Sequence, residues 1–95
     1  MSCKGIIHQK PRAQRHFFSR FVMRKIYEVI SLIELETTIL QYYASGNFIE
    51  DRRHPGVEGP RYRFYIPRKN KKIIVIAEKT KSCLLLITVW PENSG

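Results

Sequence analysis

Several features are missing from this 95-residue chain, and each absence removes a class of function. No run approaches the roughly 18 apolar residues that a bilayer-spanning helix needs, and the basic N-terminus has no apolar segment of the kind a secretion signal carries. A soluble, cytoplasmic protein without membrane contact is expected. Cysteine is scarce, with only Cys3 in an N-terminal segment and Cys83 at the start of a strand. Two cysteines so placed make a poor disulfide framework, so both are expected as reduced thiols, with Cys83 buried. There is no Gly-rich phosphate loop, no CxxC pair, no HExxH and no GxSxG, which removes the usual nucleotide, zinc and serine-hydrolase motifs. Of the 8 Asp and Glu, Glu28, Glu34, Glu36, Glu50 and Asp51 gather in one part of the chain, and the 3 His are scattered. A metal-dependent nuclease, whose Mg²⁺ needs clustered carboxylates, is therefore not expected, and neither a metal nor any other cofactor is implied.

One further absence is local. No basic residue occurs between Ile26 and Asp51, although the chain carries 17 Lys and Arg and a net charge of +9. The cations are confined to residues 4 to 25 and 52 to 81, so part of the surface should be strongly electropositive and another part mildly acidic. Such a field attracts polyanions, of which nucleic acid is the commonest soluble one. A basic surface that only maintains solubility is the simpler alternative.

What is present organises around two apolar runs, Ile73-Ile74-Val75-Ile76-Ala77 and Cys83-Leu84-Leu85-Leu86-Ile87-Thr88-Val89-Trp90, joined by Lys79-Thr80-Lys81-Ser82. Both are rich in β-branched residues and apolar at successive positions, which predicts a hairpin of central strands covered on both faces. Ahead of them, residues 1 to 11 read as a flexible basic arm and residues 12 to 95 as a single domain. Pro11 suits a first helical turn. From Arg12 to about Val29 the apolar residues Phe18, Phe21, Val22, Ile26 and Val29 recur at helical steps.

Ser31 with Glu34 has the form of a capping box opening a second helix. Its stripe is Leu32, Leu35, Ile39, Tyr42 and Tyr43, and Gly46 is placed to end it. Residues 47 to 51 begin a sheet, and Arg61-Tyr62-Arg63-Phe64-Tyr65-Ile66 alternates as a strand with one basic face. Helices followed by strands predict an α+β fold with two N-terminal helices packed on a four-stranded antiparallel sheet.

The side chains left for chemistry are cations and hydroxyls. His16, Arg20 and Arg24 stand four apart on the first helix and form one stripe, either a solvated cationic face or the edge of an RNA groove. The spacing His16-x-x-x-Arg20-x-x-x-Arg24, followed by a helix ending at Gly46, then Asn47-Phe48-Ile49-Glu50-Asp51, Arg61-Tyr62-Arg63, Ile73-Ile74-Val75 and Ile87-Thr88-Val89-Trp90, resembles the DUF4258 family. That family is small, often toxin-associated, and similar in architecture to the barnase, EndoU, colicin E5/D and RelE-like ribonucleases. The resemblance spans roughly residues 16 to 91, with Lys25-Ile26-Tyr27-Glu28-Val29 as an insertion relative to the family pattern.

The resemblance implies metal-independent RNA cleavage by 2′-hydroxyl attack. His16 would then be the general acid or base, Arg20 and Arg63 the phosphate clamp, and Thr88 a hydrogen-bond donor to the scissile group. Arg24 and Arg61 would hold flanking phosphates. Tyr62, Tyr65 and Trp90 are candidate base-stacking rings, or core fillers. Lys79 adds to the field, and His54, beside Arg52 and Arg53, is a rival proton carrier. The expected partners are RNA and an acidic antitoxin or immunity protein. Two alternatives stay open: a non-catalytic nucleic-acid-binding module, and a protein-interaction subunit that pairs through its sheet.

Overall fold

The computed structural model describes residues 5–7, 11–53, 56, 59–80 and 83–93. The two apolar runs form the longest strands, β4 (Lys71–Lys79) and β5 (Cys83–Asn93), paired antiparallel. On the far side of β4 lies β3 (Arg61–Arg68), turned back through Lys69 and Asn70, both in the left-handed region with φ of 47° and 63°. The short β2 (Ile49–Glu50) pairs antiparallel with β3. The helices α1 (Pro11–Met23) and α2 (Leu32–Ala44) precede these four antiparallel strands, so the chain has the expected α+β architecture.

The sheet also holds a fifth strand. Residues Gly5–Ile7, within the segment expected as a flexible arm, form β1 and pair parallel with β5, Gly5 opposite Cys83, giving the order β1-β5-β4-β3-β2. Three residues are enough because the outer flank of β5 at Cys83–Leu85 otherwise presents unpaired backbone. The remaining residues of that arm outside α1 lie outside the described residues. Cys83 is buried as expected but is disulfide-bonded, not a reduced thiol. The pairing of Gly5 with Cys83 brings β1 alongside this half of the disulfide. The chain's other cysteine, Cys3, lies outside the described residues.

The first helix is shorter than its apolar period suggests. It ends at Met23, Lys25 turns into the left-handed region at φ 55°, and a short 3₁₀ turn covers Ile26–Glu28. That break re-phases the stripe: Phe17, Phe21, Ile26 and Ile30 are buried, Phe18 and Val29 pack partly against them, and Val22 is left 59% exposed. The second helix follows its pattern. Ser31 Oγ accepts from the Glu34 amide at 3.1 Å, Leu35 and Ile39 are buried, and Gly46 at φ 76° closes the helix. Gly46 N–H donates to Tyr43 O and Asn47 N–H to Tyr42 O, the paired bonds of a left-handed C-terminal cap.

Just before β3, Gly59 and Pro60 lie against the end of β4. Pro60 O accepts from the Lys79 amide at 2.8 Å, and a methyl group placed on Gly59 would run into the Lys79 carbonyl. Because backbone, not a flexible side chain, occupies that space, Gly59→Ala is expected to cost about 1–3 kcal/mol. The loss would be read as a lower urea midpoint with an unchanged slope.

Candidate nucleic-acid interface

The pleat divides the sheet into two faces. Phe64, Ile66, Ile73, Val75, Ala77, Leu84, Leu86 and Val89 join the helical residues in one core. The intervening residues form the opposite face, the open face below, where Ile74, Ile76, Glu78 and Leu85 are buried beneath the partly exposed side chains of Arg63, Tyr65, Thr88 and Trp90. The register arranges them in rows across three strands. Arg61 stands opposite Glu78, and Glu78 opposite Leu85. The next row is Arg63, Ile76, Thr88, and the one after it Tyr65, Ile74, Trp90. Within each row, the β3 and β5 residues are two interstrand spacings apart, about 10 Å.

A bulge shapes the middle of this face. Ile76 pairs with Thr88 while Ala77 pairs with Leu86, so Ile87 is an extra residue on β5. Its effect is that two successive side chains, Ile87 and Thr88, line the same depression, which a regular strand would not permit. That depression has a volume of about 200 Å³ and is walled by Asp51, Arg61, Arg63, Thr88 and Trp90 over Ile76. A second, of about 390 Å³, lies between residues 49–53 on one side and Arg63 and Tyr65 on the other. The two share Asp51 and Arg63. Together they are lined by Arg52, Arg53, Arg61 and Arg63 against the carboxylates of Glu50 and Asp51, an excess of positive charge.

Arg63 is the best-positioned cation of the group. Its Nη1 donates to the Tyr65 hydroxyl at 3.3 Å, its Nη2 lies 3.5 Å from Asp51 Oδ2, and its guanidinium carbon sits 5.9 Å from the centre of the Trp90 ring. The bond to Tyr65, with the Asp51 charge in support, holds its pKa above the ordinary arginine value against the opposing pull of burial. The Asp51 side chain is only 6% exposed, so this carboxylate is enclosed by the arrangement. Arg61 is pinned differently, its Nε 3.2 Å from Oε1 of the buried Glu78.

The site residues expected from sequence divide between these surroundings. Arg61, Arg63 and Thr88 come together around the smaller depression. His16 and Arg20 lie on α1, whose Phe17 and Phe21 are buried in the core on the opposite side of the sheet, and neither lines either depression. Arg24 follows α1 and reaches β5, its Nη1 donating to Val89 O at 2.8 Å, between Thr88 and Trp90. Tyr62 faces the helices. Its ring packs 4.5 Å from Phe48 and 6.0 Å from Tyr43, and burial, then Tyr43 and Glu50, push its phenol pKa up. Lys79 donates to Thr80 O at 2.7 Å at the end of β4 and lines neither depression. His54 lies outside the described residues.

Asp51 is the functional candidate that sequence reasoning missed. Its signal was available, because residues 49 and 51 share a face of a strand and Ile49 pairs with Arg63, but that pairing depends on a register the sequence does not display. In comparisons of the chain with protein-family models, curated proteins and solved structures, nothing matches.

Proposed function

We propose that this chain binds RNA on the open face of its sheet and cleaves it without a metal ion. The observation that carries the reading is Arg63, a guanidinium braced by Tyr65, Asp51 and Trp90 and aligned across Ile76 with the hydroxyl of Thr88. A phosphodiester seated between them meets charge from one wall and a hydrogen-bond donor from the other. A guanidinium that is already oriented needs little rearrangement as negative charge builds on the phosphoryl oxygens.

In this reaction the 2′-oxygen forms a bond to phosphorus, the bond from phosphorus to the 5′-oxygen breaks, and a 2′,3′-cyclic phosphate remains. One proton leaves the 2′-hydroxyl and one reaches the departing 5′-oxygen. Asp51, which lines both depressions, is set against that need, whereas His16, the proton carrier expected from sequence, stands on α1 on the other side of the sheet. Asp51→Asn and His16→Ala separate them, since the variant lacking the working group loses cleavage while still binding RNA.

The deciding test is incubation of the purified chain with total RNA in EDTA. Cyclic-phosphate ends that disappear when the substrate carries 2′-deoxyribose support the proposal. RNA that is retained, with affinity falling steeply as salt rises, but never cut would make the chain a non-catalytic nucleic-acid-binding module.

A further inference from the structure

We infer, on the strength of the RNA reading above, that the substrate is a single strand laid across the β-strands. It would run from Arg52 and Arg53 beside β2 to Arg24 at β5, with Tyr65 and Trp90 as platforms for its unpaired bases. The direction follows from where the cations lie. Arg52 and Arg53 line the larger depression, Arg63 stands between the two depressions, and Arg24 holds the β5 backbone at Val89. Since β2, β3, β4 and β5 are consecutive in the sheet, this line crosses three interstrand gaps, about 15 Å.

A path along the strands is obstructed. At the Arg61 end, Glu78 neutralises the arginine, and Gly56 lies so close to the Glu78 carboxylate that no side chain fits between them. Across the strands the cations are exposed: Arg52 lies 4.0 Å from Glu50 with its side chain 86% exposed, and Arg24 spends one of its five N–H donors on Val89.

Selection for a single strand follows from the rings. Tyr65 and Trp90 occupy one row of the open face, on either side of Ile74. A cation approaches each of them, Lys72 at 5.6 Å from the Tyr65 ring and Arg63 at 5.9 Å from that of Trp90. Bases inside a duplex are stacked on their neighbours and offer no face to such rings, whereas unpaired bases do.

The test uses the full chain and 2′-O-methyl oligonucleotides, which bind without being cut, from dinucleotide to octanucleotide, with a duplex octamer for comparison. Affinity is expected to climb to about four nucleotides and then level, with the duplex at least about tenfold weaker. Arg53→Ala and Arg24→Gln, the latter keeping a donor for Val89, should each weaken the octamer about tenfold and leave the dinucleotide within about twofold. A duplex bound as tightly as the single strand, or variants that weaken dinucleotide and octamer equally, would overturn the inference. Failure of the cleavage reading is separate: it shows as the expected length dependence with no cutting of unmodified RNA in EDTA. Absence of binding to any oligonucleotide at low salt overturns both.

Discussion

Arg63→Ala is expected to lower kcat for RNA cleavage by roughly a hundred- to a thousandfold, the scale on which loss of one oriented transition-state donor is felt. The same change removes a partner from Asp51, whose side chain is 6% exposed, and withdraws the guanidinium from the Tyr65 hydroxyl. A stability loss of about 1–3 kcal/mol should therefore accompany it, measurable by urea unfolding. Arg63→Lys separates charge from geometry. An ammonium restores the positive charge but not the planar fork, so RNA binding should largely return while most of the rate does not. Full activity in Arg63→Ala would remove Arg63 from the mechanism, and full activity in Arg63→Lys would show that its charge suffices without the planar fork.

Phe64→Ala should be the most damaging single change to the fold. Phe64 is fully buried in the middle of β3, opposite Val75 and with its ring 5.7 Å from that of Phe48. Truncating a phenylalanine in such a place costs about 3–5 kcal/mol, against a total stability of about 5–15 kcal/mol for a small domain. The melting temperature should fall by on the order of 20 °C. Phe18→Ala provides the contrast: its ring is only partly buried at the edge of the core, so a drop less than half as large is expected.

Strands β2 to β5 and α2 were legible because local rules decide them, whereas β1 was not. Period-two alternation in residues 61–66, the Ser31 cap and the Gly46 terminator each act within a few residues, and each is where it was expected. The α1 stripe was legible only in part. Phe18 and Val22 keep helical spacing as well as Phe17 and Phe21 do, and the choice between them was made by the left-handed turn at Lys25, which re-aims Ile26 into the core. Lysine carries no sequence signal for φ > 0, so that turn could not be anticipated.

The candidate site was legible by type and not by place. Alternation puts Arg61 and Arg63 on one face of β3, but whether Thr88 joins them depends on the register between β4 and β5 and on the extra residue at Ile87. A one-residue slip there would have turned Thr88 into the core. His16 and Arg20 share a helical face with Arg24 in the sequence, yet only Arg24, past the end of α1, is shown bonding to the backbone of β5.

The neighbour relation between β1 and β5 bears on how the chain is made. Gly5 pairs with Cys83, so β1 must wait until both helices and the other strands have been made before that ladder can close. Closure of so long a loop is slow and gains nothing until its far end arrives. The helices and the β3–β4 hairpin can form during synthesis. A nascent chain halted before β5 would have no partner for Gly5–Ile7 and no Thr88 or Trp90 wall on its open face.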